Sequence, residues 1–183
     1  MINQKPASFF FIASFLFIGT TIFEVSPQTY NEYFGKKKNT FTYTESRVDN
    51  NIRITLSCKE RTEICFLDSN YFCLKWIYKN NFNGADFTAV RSLDSIHISG
   101  IKNGSEFSNF IKVGNLPWLQ FWEFGMGKMV SSGQSEMSFM SIDANKPSKI
   151  ATFLAKKIET SNIKVGNHVE GANHFVVTIM GLP

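Results

Sequence analysis

Residues 95–112 read SIHISGIKNGSEFSNFIK, and this stretch decides the fold. In its first half Ile96 and Ile98 fall on one face and His97 on the other, the period-two alternation of a strand with one buried side. Asn103 and Gly104 then interrupt the pattern before a second strand-like run, residues 105–112. Asparagine and glycine both accept the positive φ of a type I′ turn, whose twist matches the strands it joins, so the segment predicts a tight antiparallel hairpin. Asn103-Gly104-Ser105 also spells a glycosylation sequon, but the turn accounts for the same residues and is the preferred reading.

The same alternation extends outward in both directions. In residues 51–58, Ile52, Ile54 and Leu56 alternate with Arg53, Thr55 and Ser57. In residues 71–78, Phe72, Leu74, Trp76 and Tyr78 fall on one side and Cys73, Lys75 and Ile77 on the other. A strand through Phe87, Ala89 and Arg91 follows the loop at 80–84. Downstream, strands are predicted at residues 136–142, 149–158, 162–165 and 173–180, with turns at 143–147, 159–161 and 166–171. One helix is expected within residues 115–132, opened by Pro117 and ended by Gly125 and Gly127. About nine strands joined by short connections exclude the long crossovers of a parallel sheet. The fold class is therefore mainly β, a curved antiparallel sheet or half-barrel meander with one short helix after an N-terminal signal segment.

Lys5 precedes an apolar run from Ala7 to Phe23. The run is shorter than the ~20 apolar residues of a spanning helix, and a cation ahead of a short apolar stretch is the pattern of an export signal. Residues 1–28 are read as a signal peptide or N-terminal anchor and residues 29–183 as a single antiparallel β domain. The expected location is the periplasm or the exterior, with membrane contact only if the segment stays uncleaved. Net charge is +4, yet Lys36, Lys37 and Lys38 form the only basic cluster, read as a solvated lead-in. The 19 phenylalanines alternate with polar residues in the manner of a core, which argues against nucleic acid as a partner.

No constellation of catalytic residues emerges. Gly133-Gln134-Ser135-Glu136-Met137 approaches a nucleophile elbow, but Met137 replaces the second glycine and the segment runs into a strand rather than a helix. His97, His168 and His174 are isolated, and no phosphate-cradling loop is present. Asp94, Asp143, Glu159 and Glu170 lie near turns without a pairing that favours glycosidase chemistry. The protein is read as non-enzymatic, with no cofactor. Cys58 and Cys65 flank residues 59–64, a spacing at which a hairpin brings two cysteines within disulfide range, with three independent small hydrophobes as the alternative. No zinc-ligand spacing joins Cys58, Cys65, Cys73 and His97, so no metal is expected.

LPWLQFWE (116–123), SEMSFMSID (135–143), FLAKKIETSNIKVG (153–166) and HFVVTIMGL (174–182) together resemble an uncharacterised family of exported bacterial β-sheet proteins, similar in outline to the lipoprotein carriers of the periplasm. The resemblance covers residues 75–183. It implies a curved antiparallel sheet with one concave apolar face. Proteins of that kind usually continue past the final Gly-Leu with strands rich in Trp and Tyr, whereas this sequence stops at Pro183, so the resemblance implies either an unprotected sheet edge or a shortened member.

Two functions follow as expectations. In the first, the concave face holds a lipid or acyl chain, with Trp76, Phe87, Trp118, Phe121, Trp122 and Phe139 as ligand-binding residues and the tryptophan segment as a lid. Phe72, Leu74, Ile96 and Phe107 would complete that face. In the second, an envelope protein partner is contacted through a sheet edge. The plainer reading of residues 115–132 is an aromatic plug over the sheet.

Overall fold

The computed structural model describes residues 25–34, 37–48, 51–165 and 168–180. Most of the expected signal segment, residues 1–24, and Lys36 lie outside the described residues. The fold is mainly antiparallel β with one short helix, as the alternation predicts. Eight strands follow one another as a meander: β1 (Val25–Phe34), β2 (Lys37–Val48), β3 (Asn51–Ser57), β4 (Arg61–Leu67), β5 (Cys73–Asn80), β6 (Ala85–Ser92), β7 (Ser95–Lys102) and β8 (Ser105–Lys112). The sheet is open, with β1 and β8 at its margins. Helix α1 (Trp122–Ser131) leads to a second sheet of β9 (Glu136–Ile142), β10 (Ile150–Val165) and β11 (His168–Ile179), in the order β11-β10-β9. Among the described residues, no helix is long and apolar enough to cross a membrane.

The hairpin at the centre forms as expected, with Asn103 at φ 51° and Gly104 at φ 75° between β7 and β8. Two rows of residues then run across the buried face. Ile54, Cys65, Trp76, Ala89 and Ile98 lie opposite one another on β3 to β7, and Leu56, Glu63, Tyr78, Phe87, Gly100 and Phe107 form the adjacent row from β3 to β8. Small residues flank the large rings in these rows. A Cβ on Gly100 (φ 153°) would lie 2.2 Å from the Asp86 carbonyl oxygen and 2.5 Å from Phe87 Cα, so only glycine allows β6 to approach β7 this closely.

Several boundaries differ from the sequence expectation. Lys37 and Lys38, read as part of a solvated lead-in, open β2, whose Phe41 is buried. The expected turn at 59–64 shrinks because β4 already begins at Arg61. Leu74 leaves the face assigned to it: Phe66 pairs with Lys75 but Leu67 pairs with Cys73, and this bulge turns Cys73 inward and Leu74 outward. The bulge follows a turn in which Asp68 Oδ1 accepts hydrogen bonds from the backbone N–H groups of Asn70 and Phe72 at 2.8 and 2.9 Å, with Tyr71 at φ 62°.

The predicted break at 159–161 is a bulge inside the continuous strand β10, where the register shifts between Lys157 and Glu159. Of the turn placed at 166–171, residues 168–171 belong to β11, which begins at His168 opposite Val165, and residues 166–167 lie outside the described residues. Pro117 does not open the helix. Residues 117–119 instead run beside β9 before α1 begins at Trp122. Gly125 and Gly127 lie within the helix, not at its end. A Cβ on Gly125 would meet Leu119 Cδ2 at 2.4 Å, so close packing on Leu119 places that glycine. The chain leaves the helix through Gly133, at φ 81°.

Candidate functional site

The six aromatic residues proposed to line a ligand site are divided between two clusters. Trp76, Phe87, Trp118 and Phe121 belong to the larger core over the eight-stranded sheet, while Phe139 belongs to a smaller one against which Trp122 packs. In the first, Trp76 and Phe87 meet edge to face at 5.3 Å, Tyr78 stacks on Phe87 at 5.0 Å, and Phe107 closes on Phe87 at 5.9 Å. In the second, Trp122, Phe139 and Phe153 form a triangle with centroids 4.6 to 5.4 Å apart. Five of the six are buried and Trp122 is half-buried. Ile96 is buried in the larger core, Phe107 packs against it, and Phe72 packs against the smaller cluster.

Trp118 joins the two sheets. Its carbonyl accepts the Cys73 N–H at 2.7 Å, the Met140 N–H donates to the Pro117 carbonyl at 2.9 Å, and the Leu119 N–H donates to the Met140 carbonyl at 2.9 Å. Gln120 extends the seam by donating from Nε2 to the Ile142 carbonyl at 3.0 Å while its Oε1 accepts from Trp118 Nε1 at 3.1 Å. The segment therefore covers the outer edge of β9 with backbone hydrogen bonds. Helix α1 is fixed to the large sheet by Phe124, whose ring stacks against Tyr43 at 5.4 Å and Tyr71 at 6.0 Å. Burial, reinforced by the hydrogen bond from the Tyr43 hydroxyl to Glu45 at 2.6 Å, pushes the Tyr43 phenol far up, and burial pushes Tyr71 up as well.

Glu63 is the buried carboxylate that the alternation alone does not reveal. It accepts a hydrogen bond from Trp76 Nε1 at 3.1 Å and forms an ion pair with Arg61 at 3.0 Å, while the Arg61 guanidinium lies 4.9 Å from the centroid of the Phe41 ring. The carboxylate anchors the indole rather than facing a cavity. Glu63→Ala removes the acceptor and leaves a buried indole N–H unpaired, so stability is expected to fall by about 1–3 kcal/mol, read from the midpoint of urea unfolding.

Two clefts open elsewhere. One of about 200 Å³ is lined by Asp68, Phe72, Leu74, Arg91 and Pro117, and one of about 350 Å³ by Lys102, Glu106, Phe107, Asn145 and Lys149. Neither is lined by any of the six proposed aromatics. Two histidines read as isolated each meet a serine: His97 Nε2 lies 2.9 Å from Ser108 Oγ and His174 Nε2 lies 2.5 Å from Ser161 Oγ. His97 lies on the exposed face of β7 with its ring stacked on Phe110. Among the described residues, no group of three or more His, Cys, Asp or Glu side chains is placed to hold a metal ion.

The sheet margins among the described residues differ in protection. β1 carries Pro27 and a register irregularity between Val25 and Gln28. β8 is short and bears Glu106 and Lys112. β9 is covered by the Trp118 segment. β11 contains no proline and no lysine, and residues 175–180 (FVVTIM) carry no charge. Its hydrogen-bond phase follows from one contact, since the Met180 N–H donates to the Thr152 carbonyl at 2.7 Å. Thr178 and Val176 therefore face β10 through their backbone groups, and Phe175, Val177 and Ile179 turn theirs to the open side. No protein-family model, no curated protein sequence and no solved structure matches this chain.

Proposed function

We propose that this is an exported, non-enzymatic protein of the cell envelope that captures an extended segment of a partner polypeptide as an added strand on the free edge of β11. The observation that carries this reading is the outward-turned backbone of Phe175, Val177 and Ile179, in the one described margin without proline, lysine or a covering segment. Strand addition draws its affinity from main-chain hydrogen bonds and its selectivity from alternate side chains. The export address belongs to the same proposal and rests on Lys5 and the apolar run behind it.

A photo-reactive phenylalanine at Thr178, exposed on β11, is expected to cross-link to a polypeptide in cells that make the protein; the same group at Val90, in the middle of the eight-stranded sheet, is not. Equal cross-linking at both sites would remove the reason for choosing β11. Proline separates capture from folding. Ile179→Pro deletes an outward N–H and is expected to weaken capture about tenfold while leaving thermal unfolding nearly unchanged, whereas Thr178→Pro deletes the ladder bond to Leu154 and destabilises the fold.

A second reading, a small apolar ligand, has one observation in its favour. The 200 Å³ cleft has Phe72, Leu74 and Pro117 in its wall beside Arg91. Its volume lies below the ~300–1,000 Å³ usual for ligand pockets.

A further inference from the structure

We propose that Cys65 and Cys73, and not Cys58, form a disulfide that ties β4 to β5. Their Sγ atoms lie 3.8 Å apart on the same buried face of neighbouring antiparallel strands, and neither residue is exposed. The bulge opposite Leu67 creates this juxtaposition. Without it Leu74 would oppose Leu67, and Cys73 would point to the outer face. Cys58 is placed differently: its N–H donates to the Arg61 carbonyl at the turn between β3 and β4, whereas Cys65 lies opposite Ile54. Four residues separate Arg61 from Cys65, about 13 Å along the strand, which is beyond the ~7 Å Cα separation that a disulfide tolerates.

The bond forms by two exchanges with a disulfide donor, for which glutathione disulfide is the probe. One cysteine thiolate attacks a glutathione sulfur and expels a glutathione thiolate, giving a mixed disulfide. The second cysteine thiolate attacks the protein sulfur of that mixed disulfide and expels the other glutathione. Two cysteine thiols are oxidised to one cystine, one glutathione disulfide is reduced to two glutathione thiols, and the protons lost by the cysteines pass to the departing glutathiones.

Timing follows from burial. Both sulfurs are fully buried, out of reach of a donor in the folded protein, and desolvation, with the neighbouring Cys73 next, pushes the Cys65 thiol well above its ordinary range. Exchange therefore takes place before β5 closes over β4, and the bond is structural rather than one that cycles. The pairing stands independently of strand capture and of export, because the test below requires neither.

The full chain, unfolded and reduced, is refolded in a mixture of oxidised and reduced glutathione, then denatured and alkylated without reductant. Tryptic cleavage leaves Cys65 and Cys73 together in the peptide of residues 62–75 and Cys58 alone in that of residues 54–59. The expected result is a 62–75 peptide lacking two hydrogen atoms and carrying no alkyl group, beside a fully alkylated Cys58. Alkylation of both Cys65 and Cys73, or a peptide linked through Cys58, would overturn the proposal. Reduction is expected to lower the unfolding temperature by roughly 5–10 °C, the effect of reopening a loop of this length. The already folded dithiol is expected to oxidise at least about a hundredfold more slowly than the refolding chain. Equal rates would contradict the buried geometry.

Discussion

Trp76→Ala is expected to cost about 3–5 kcal/mol. The indole is fully buried at the centre of the eight-stranded sheet, edge to face with Phe87 and Tyr78 at 5.3 and 5.4 Å. Its cross-strand neighbours are Cys65 and Ala89, which are too small to fill the space it would leave. Removing it also leaves the buried Glu63 without the indole N–H that it accepts, so a cavity and a weakened polar contact arise together. Urea unfolding reads the effect, with a lower midpoint and an unchanged slope. Trp76→Phe retains most of the ring contact and is expected to lose less. A loss below about 1 kcal/mol for the alanine variant would mean that this row is not the core.

Gly100→Ala is expected to cost about as much, for a reason unrelated to lost contacts. The new methyl group would lie 2.2 Å from the Asp86 carbonyl oxygen and 2.5 Å from Phe87 Cα, at a φ of 153° that alanine disfavours. Both interfering atoms are backbone, so a side-chain rotation gives no relief. Gly104→Ala provides the control. Gly104 also has positive φ, 75°, but a methyl group there would have nothing within 4 Å, so only local strain of about 1–2 kcal/mol is expected. The measurement is the difference between the two unfolding midpoints. Equal values would show that close approach of β6 and β7 is not what requires glycine at position 100.

The strand content was legible wherever a regular ladder persists. Ile52, Ile54 and Leu56 are buried as their alternation requires, and Asn103-Gly104 forms the turn its chemistry specifies. Legibility failed at bulges. The extra residue at Cys73–Leu74 changes which side chains face the core, and the one in β10 imitates a turn, because a local register shift leaves no mark in a period-two pattern. The strand β2 was readable in principle, since Thr40, Thr42 and Thr44 alternate with Phe41 and Tyr43, but the lysines just ahead of them give the segment the charge of a solvated lead-in.

For the candidate site, aromatic identity was visible and partnership was not. Trp118 and Trp122 are four residues apart, yet one packs on the large sheet and the other against Phe139 and Phe153, because Trp118 lies in an extended segment and Trp122 begins a helix. The Glu63 anchor and the Cys65–Cys73 contact depend on cross-strand register, which the order of residues along the chain does not specify. The open edge of β11 had a sequence signal in the uncharged run FVVTIM; which of its residues face outward depends on the ladder phase set at Met180.

Native mass spectrometry of the chain, produced with its own N-terminus and recovered from the envelope fraction, followed by organic extraction, tests strand capture most directly. The account predicts a processed chain in complex with a polypeptide, a complex that Ile179→Pro dissociates, and an extract without lipid. A chain that carries lipid, has no polypeptide bound and is indifferent to Ile179→Pro would contradict it.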